Sequence, residues 1–345
     1  EMFKSIGSLK PGESSHSGRR RSRLLLKKSM IRSGRLDLNP AYYDELKEFI
    51  YFCTLQSSTL RKLQNKYDVN AEAITQHTER LADTAAPGGK RMSTSTKHPP
   101  LSAIFREYRC ISLHKRDINE LILYHIVTTF TDFFMIVDID LSYNPLFDTA
   151  CALLIRILAR FAPSLRELNL ENTALDIESL QAMDELLESE SCGLVNLNIA
   201  HNGLTDEHLC AVFVSLVKNH TVTDLNISGN LINKAGSYAL AHYLKYSKTI
   251  SCLNLTMLGL KEYNLKLVAR SLNINKSLQK LILNDNQLGF KDVENLSRSL
   301  LNNSSVVEVY LQNNSLNARS CSMICDVLAK SENIQHIAMS GNNIG

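Results

Sequence analysis

Apolar residues recur along most of the chain in one arrangement that repeats at an almost constant interval. Each repeat opens with three apolar positions in the spacing L-x-x-L-x-L, as at Val222, Leu225 and Ile227. A leucine follows near the end of each repeat, with another apolar residue four positions before it, as at Leu240 and Leu244. The alternating start is typical of a short strand, and the later i, i+4 pair marks one face of a helix. The sequence therefore predicts one strand and one helix in each repeat.

The repeat is regular over the second half of the chain, with a period of about 28 residues. The openings begin at Ile136, Leu165, Leu194, Val222, Ile250, Leu278, Val306 and Ile334. The helix leucines are Leu158, Leu187, Leu216, Leu244, Leu272, Leu300 and Leu328. A fixed period of this length indicates a solenoid, in which stacked units bury their apolar faces against their neighbours.

This pattern resembles the leucine-rich repeat family, specifically its long, ribonuclease-inhibitor-like subtype. The resemblance implies an α/β fold: a curved solenoid, or horseshoe, with parallel strands on the concave side and helices on the convex side. It also implies that the residue following each strand is a buried ladder asparagine, whose amide satisfies backbone groups in the turn. This column contains Asn144, Thr173, Asn202, Asn230, Leu258, Asn286, Asn314 and Asn342. Because a leucine side chain forms no hydrogen bonds, the ladder is expected to be broken near Leu258.

Composition and periodicity divide the chain into five segments. Residues 1–39 form a basic arm that is expected to be extended or disordered, because it cannot bury a core. Residues 40–85 have the apolar spacing of helices, and residues 86–100 have the composition of a linker. Residues 101–135 are predicted to be a degenerate repeat that caps the N-terminal end of the solenoid. Residues 136–345 contain seven full repeats and one that is cut short.

Charge separates the N-terminal part of the chain from the repeats. Residues 1–107 contain 19 lysines and arginines against 11 acids, whereas residues 108–345 contain 19 against 24. A basic arm that precedes an acidic solenoid suits an acidic partner, such as a phosphate backbone, an anionic lipid or an acidic protein surface like that of tubulin. The alternative is that the arm is only a solvated tail. The cations of the arm are Arg19, Arg20, Arg21, Arg23, Lys27, Lys28, Arg32 and Arg35.

Several classes of site are not indicated by the sequence. A transmembrane helix needs roughly 18 or more consecutive apolar residues, and the sequence contains no such run. The eight cysteines show no paired spacing, which favours a reducing compartment, and no cluster predicts a metal or a cofactor. Residues 60–81 faintly resemble a DNA-binding helix-turn-helix, but Glu72 and Glu79 on the second helix would repel phosphates. Nucleic-acid binding is therefore not favoured, and no catalytic constellation indicates an enzyme.

The candidate binding surface is the exposed face of the predicted sheet. Within L-x-x-L-x-L the apolar residues point inward, so the residues between them point outward from the concave side. These outward positions begin acidic, continue through four stacked asparagines and end more apolar. The alternative is an ordinary solvated face, because Leu-Asn-Leu is common in such repeats. The predicted partner-binding residues are Asp138, Asp140, Glu167, Asn169, Asn198, Asp224, Asn226, Asn254, Ile282 and Tyr310.

These observations favour a non-enzymatic scaffold that binds protein partners through its concave face and basic arm. The resemblance adds a setting in the cytoplasm, because several flagellar scaffold proteins have a similar order of segments. The chain would then be a structural part of a larger cytoskeletal or ciliary complex. The alternative is a regulatory leucine-rich repeat protein, either a ligand sensor or a GTPase regulator. One relative in the family acts through an arginine finger, for which Arg116 is the nearest candidate.

Overall fold

The computed structural model describes residues 35–37, 110–115, 118, 123, 136–146 and 149–344. Ten strands and seven helices are described in these ranges, and strand and helix alternate from the third strand onward. The strands are β1 (Arg35–Asp37), β2 (Cys110–Ser112), β3 (Asp138–Asp140), β4 (Glu167–Asn169), β5 (Asn196–Asn198), β6 (Asp224–Asn226), β7 (Cys252–Asn254), β8 (Lys280–Ile282), β9 (Glu308–Tyr310) and β10 (His336–Ala338). The helices are α1 (Thr149–Phe161), α2 (Ile177–Glu188), α3 (Asp206–Lys218), α4 (Lys234–Tyr246), α5 (Glu262–Leu272), α6 (Phe290–Asn302) and α7 (Ala318–Lys330).

The strands form one open parallel sheet in which each strand pairs with its neighbours in chain order. The pairing is in register, so that Leu225 of β6 lies between Leu197 of β5 and Leu253 of β7. The middle residue of each strand from β3 to β9 is buried in the core. Helices are about 8–10 Å apart when packed, whereas strands are about 4.8 Å apart, so the stack curves with its sheet on the inner side. The predicted α/β solenoid is confirmed.

The helix leucines form a continuous column inside the solenoid. Leu158, Leu187, Leu216, Leu244, Leu272 and Leu300 are each at most 3 % exposed. Leu328 differs, with 38 % of its surface exposed. It lies on α7, the last helix that the structure describes, so no described helix packs over its outer side. The prediction of a helix leucine that faces the core is confirmed for the first six. Leu328 is more exposed because no described helix covers it.

The ladder asparagines join successive repeats in the turn that follows each strand. The Nδ2 group of Asn230 donates to the carbonyl oxygens of Ile199 and Ile227, at 3.1 and 2.8 Å. Its Oδ1 accepts from the backbone amides of Asn202 and Leu204, at 3.1 and 3.0 Å. Each of these buried groups therefore has the partner that a turn away from water requires. The same two kinds of contact are made by Asn202, Asn286, Asn314 and Asn342.

The ladder changes form at its two departures from asparagine. The Oγ1 of Thr173 still donates to the Leu170 carbonyl at 2.8 Å, whereas the fully buried Leu258 side chain interrupts the ladder, as predicted. At both positions a backbone carbonyl replaces part of the missing amide. The Leu146 amide donates to the Thr173 carbonyl at 3.1 Å, and the Ile232 amide donates to the Leu258 carbonyl at 3.3 Å. The turn thus keeps one of its cross-repeat hydrogen bonds without an asparagine.

A second set of asparagines connects the repeats where the chain enters each strand. The Nδ2 of Asn275 donates to the Leu244 carbonyl at 2.8 Å. Its Oδ1 accepts from the amides of Ser277 and Leu278, at 3.0 and 2.8 Å. Asn219 and Asn303 make equivalent contacts with their own neighbours. The sequence analysis did not identify this set, although its members keep the repeat period.

The third residue after each strand from β2 to β10 adopts a left-handed backbone conformation. This column contains Lys115, Tyr143, Asn172, His201, Gly229, Met257, Asp285, Asn313 and Gly341, with φ between 50 and 72°. At Gly229 two features favour glycine. The backbone has a φ of 66°, and a Cβ there would lie 2.0 Å from the His201 ring. Asparagine and aspartate tolerate this conformation, whereas a long side chain such as that of Met257 adopts it only with strain.

Part of the basic arm takes part in the sheet. Residues 35–37 form β1, which pairs with Cys110–Ser112 of β2 in parallel, although the sequence placed Arg35 in an extended or disordered arm. The alternation of Leu36 and Leu38 is the signal that would have predicted this strand. The remaining arm cations, residues 40–85 with the segment 60–81, residues 86–100 and Arg116 lie outside the described residues. Within the described ranges, no helix is long and apolar enough to cross a membrane.

Candidate functional site

The candidate site is the exposed face of the sheet, built from the first and third residues of each strand from β3 to β10. These residues lie on either side of the buried middle residue and are half-buried or exposed. Because the strands pair in register, their side chains form two parallel rows that cross the sheet. The first row is Asp138, Glu167, Asn196, Asp224, Cys252, Lys280, Glu308 and His336. The second row is Asp140, Asn169, Asn198, Asn226, Asn254, Ile282, Tyr310 and Ala338.

The four asparagines of the second row hold one orientation. The Oδ1 of Asn169, Asn198, Asn226 and Asn254 accepts in each case from the amide two residues further on, at 3.1 Å. The Nδ2 group then points away from that turn. The Nδ2 of Asn198 donates to Glu171 at 3.1 Å, whereas the other three Nδ2 groups have no protein acceptor among the described residues. They form a spaced set of amide donors that could reach the carbonyl oxygens of a bound chain.

The N-terminal end of this face is acidic. Asp138 and Asp140 lie on β3, Glu167 is exposed on β4, and Glu171 follows that strand. The Oδ1 of Asp140 accepts from both the amide and the hydroxyl of Ser142, at 3.1 and 2.6 Å. These contacts fix the direction of the carboxylate. The acidic end therefore presents a negative surface to any partner that lies along the rows.

The C-terminal end contains a compact group that we call the Tyr310 cluster: Lys280, Glu308, Tyr310 and His336. The Lys280 ammonium lies 3.3 Å from the Glu308 carboxylate and 4.8 Å from the centre of the Tyr310 ring. The Tyr310 hydroxyl donates to Glu308 at 2.9 Å, and the His336 ring lies 5.3 Å from the Tyr310 ring. Register explains the meeting, since Lys280, Glu308 and His336 are successive strand partners.

Contacts between members of the Tyr310 cluster shift the pKa values of Glu308 and Lys280. The hydrogen bonds from Tyr310 and then from Lys280 lower the pKa of Glu308. Burial by itself would lower the pKa of Lys280, but hydrogen bonding with Glu308 and Tyr310 outweighs it, and the net pKa is raised. Both groups are thus held in their charged forms near neutral pH. The cluster is an ion pair beside an aromatic ring, and tyrosine is the member whose residue type is enriched at protein interfaces.

Cys252 is the nucleophilic side chain in the first row. Burial raises the pKa of its thiol, and the nearby Asp224 carboxylate raises it further. The thiol therefore stays protonated near neutral pH, whereas the reactive form of cysteine is the thiolate. At this position the side chain serves as a small, half-buried contact between polar neighbours. The described residues contain no group of His, Cys, Asp and Glu that could hold a metal ion.

The ten sequence-predicted residues all lie in the two rows, on one surface. The sequence singled out Tyr310 and Ile282 but did not include Lys280, Glu308 and His336 among the site residues. The signal for these three was present, because they occupy the first-row column of three successive repeats. What the sequence could not provide was the hydrogen bond and the ring contacts that make them one group.

The fold and this surface define the molecule as a solenoid of leucine-rich-repeat type with an open concave face. No family model and no curated protein matches the chain. Among solved structures, the chain is similar to one titled "Leiomodin-1 Actin-Binding Site 2 (ABS2)", with 20 % sequence identity and a TM-score of 0.38. That match covers 46 % of this chain and 90 % of the leiomodin chain. At this level of similarity it does not bear on function.

Proposed function

We propose that the protein is a non-enzymatic scaffold that binds a protein partner along its concave face. The observation that carries this proposal is the pair of in-register rows, which cross eight strands from an acidic end to the Tyr310 cluster. Successive strands are about 4.8 Å apart, so the rows extend over roughly 30 Å. A partner that contacts them all would be an extended segment or a helix, rather than a small molecule.

The chemistry of the rows gives this partner two ends. Side chains near β3 and β4 favour a basic or polar segment, because Asp138, Asp140 and Glu167 are acidic. Near β8 and β9 they favour an apolar or aromatic group, which would pack on Ile282 and Tyr310. The free Nδ2 groups between these ends suit backbone carbonyls, which every polypeptide offers. Specificity would therefore come from the two ends of the face.

We also propose a finer assignment for the protein. The repeats of about 28 residues, each with a single helix, fit the ribonuclease-inhibitor-like subtype. The cations from Arg19 to Arg35, with no acid among them, fit an acidic surface such as that of tubulin. Together they support a structural role in a cytoskeletal or ciliary complex in the cytoplasm.

Site-specific photocrosslinking in cell extract tests the concave assignment. A photoreactive residue is placed at Asn196, which is exposed in the first row, or at Lys330, which is exposed on the convex helix α7. We expect one protein to be trapped from Asn196 and not from Lys330. The purified partner is then tested against Tyr310→Asp, which should weaken binding, and Leu301→Asp on the convex side, which should not. Equal trapping at both positions, or none at Asn196, would refute the proposal.

A further inference from the structure

The convex side of the solenoid carries a basic surface that the concave face does not use. Between residues 234 and 276 the chain contains seven lysines and arginines but only one acid, Glu262. This contrasts with residues 108–345 as a whole, in which 24 acids outnumber 19 cations. The seven cations are Lys234, Lys245, Lys248, Lys261, Lys266, Arg270 and Lys276.

These cations lie on and around the neighbouring helices α4 and α5 and are not neutralised by the chain itself. Six of the seven are exposed, and Lys266 is half-buried. In the part of the chain that the structure describes, none of them forms an ion pair with a carboxylate. Elsewhere on the convex side such pairs do occur, for example between Lys218 and Glu188 at 2.9 Å. The positive charge of α4 and α5 therefore faces the solvent unpaired.

Three tyrosines and one isoleucine lie exposed among the cations. Tyr238, Tyr246, Tyr263 and Ile274 are each between 47 and 53 % exposed. The rings of Tyr238 and Tyr263 meet edge to face across α4 and α5, 6.3 Å apart, and their hydroxyl groups are hydrogen bonded. The Lys245 ammonium lies 5.1 Å from the centre of the Tyr246 ring. Tyrosine and arginine are among the residue types that are enriched in binding hot spots.

On the side of α3 this surface is bordered by carboxylates. A helix of 13 residues such as α4 is about 20 Å long, and two adjacent helices are together about 20 Å wide. A polyanion that extended from α4 across α3 and α2 would meet the carboxylates of those helices. These acids are Asp206 and Glu207 on α3, followed by Glu178, Asp184, Glu185 and Glu188 on α2, whereas α6 on the other side carries two acids and two cations.

We propose that the exposed cations and tyrosines of α4 and α5, here called the basic tyrosine patch, bind a short acidic segment of another protein. Unpaired cations supply attraction for its carboxylates, and the half-exposed tyrosine rings supply apolar contact and hydroxyl groups. An extended peptide spans about 3.3 Å per residue, so six or so residues cross the patch. The carboxylates of α3 and α2 favour such a short segment over nucleic acid or an anionic membrane, both of which would extend onto those acids.

Fluorescence anisotropy with a labelled, glutamate-rich peptide of about ten residues tests the proposal on the full chain. The basic arm would also attract this probe, so all variants carry Arg19→Gln, Arg20→Gln, Arg21→Gln and Arg23→Gln. In that background Lys245→Glu with Arg270→Glu reverses two charges of the patch. We expect the peptide to bind about tenfold more weakly, since each reversal replaces an attraction by a repulsion. Tyr246→Ala should also weaken binding, and this loss should persist at high salt.

A matched pair of substitutions shows whether the effect belongs to this surface. Arg160→Glu with Lys330→Glu makes the same charge change in the same place, the last turn of a helix, on α1 and α7. We expect this control to bind the peptide as tightly as the background chain. Equal losses in both pairs, or no loss in the patch pair, would overturn the proposal. Tighter binding of a single-stranded DNA of similar length, lost in the patch pair alone, would also overturn it, in favour of nucleic acid.

The outcome is separable from that of the concave face. The Tyr310→Asp variant alters a different surface and should leave binding of the acidic peptide unchanged. Failure of the concave proposal would therefore appear with the crosslinked partner and Tyr310→Asp, whereas failure of this one would appear with the acidic peptide and the α4 and α5 variants.

Discussion

At the scale of single residues, the backbone can replace one of the contacts of a ladder asparagine but not all of them. Thr173 and Leu258 replace ladder asparagines, and in both cases the backbone carbonyl of the replacing residue accepts an amide from the preceding repeat. The backbone can therefore serve one of the two amides that an asparagine oxygen would serve. It cannot supply a donor, so Leu258 loses the side-chain Nδ2 contact to the strand carbonyl as well as the acceptor for the second amide.

Leu258→Asn should leave the free energy of unfolding unchanged or raise it by about 1 kcal/mol, because it restores this donor. The new side-chain amide would face backbone groups equivalent to those that Asn230 contacts one repeat earlier. Chemical denaturation followed by circular dichroism measures the difference. The reverse change, Asn230→Leu, is the control and should destabilise by about 1–3 kcal/mol, because it leaves at least one of the Asn202 and Leu204 amides without an acceptor. A clear loss in Leu258→Asn would mean that apolar filling matters more there than the ladder.

Met257→Asn should stabilise the protein by up to about 1 kcal/mol, because Met257 holds a left-handed backbone at φ 56° that asparagine adopts more easily. Its side chain is 53 % exposed, so little packing is lost. The opposite change at the equivalent position, Asn313→Met, should destabilise by a similar amount. Thermal melts of both variants test the sign, and a decrease in melting temperature for Met257→Asn would contradict the strain argument.

At the scale of elements, the helix leucines set the packing of each repeat against the next. Leu244→Asp should destabilise the solenoid by about 3–5 kcal/mol, because it places a carboxylate without a partner at a position that is fully buried. The control is Leu301→Asp, where the side chain is 43 % exposed. We expect a large decrease in melting temperature for the first variant and little for the second. An unchanged melt in Leu244→Asp would contradict the column assignment.

Between strands, the Tyr310 cluster makes stability depend on pH. The folded-state pKa of Glu308 is lowered, first by the Tyr310 hydrogen bond and then by Lys280. The contact therefore stabilises the fold above the ordinary carboxyl value of 4.5, and this contribution is lost as pH falls through the lower folded-state pKa. Tyr310→Phe should be less stable than the natural chain at pH 7, and the difference should be smaller at a pH well below 4.5. A difference that is the same at both pH values would show that Glu308 is not its source.

The strands and helices could be predicted from the sequence because their signals are local and repeated. Each middle strand residue and each helix leucine recurs at a fixed interval, and burial follows from that alone at positions such as Leu225 and Leu244. The strand at Leu36 was missed because it lies apart from the regular repeats in a basic context. The rows of the concave face were predicted as well. The Tyr310 cluster was not, because it depends on side-chain directions across three strands, which the sequence alone does not specify.

At the scale of the whole molecule, charge is arranged in separate regions. The arm is positive, the start of the concave face is negative, and the convex side of α4 and α5 is positive again. The concave and convex regions lie on different surfaces, so one partner need not contact both. Attraction by exposed charges extends over a Debye length of about 8 Å at physiological salt and weakens as salt rises. Contacts made by uncharged side chains such as Ile282 lack this dependence.

The basic arm should therefore contribute salt-sensitive affinity for the partner, and the concave face salt-insensitive affinity. Because residues 35–37 form β1, a truncation that tests the arm should remove residues 1–33 and keep this strand. We expect the truncated chain to bind the crosslinked partner more weakly at low salt and almost equally at high salt, whereas Ile282→Asp should weaken binding at both. A chain whose arm folds back on its own acids, such as Asp138 and Glu167, would instead bind more tightly after truncation. Equal binding of the full and truncated chains at both salt concentrations would mean that the arm is a solvated tail.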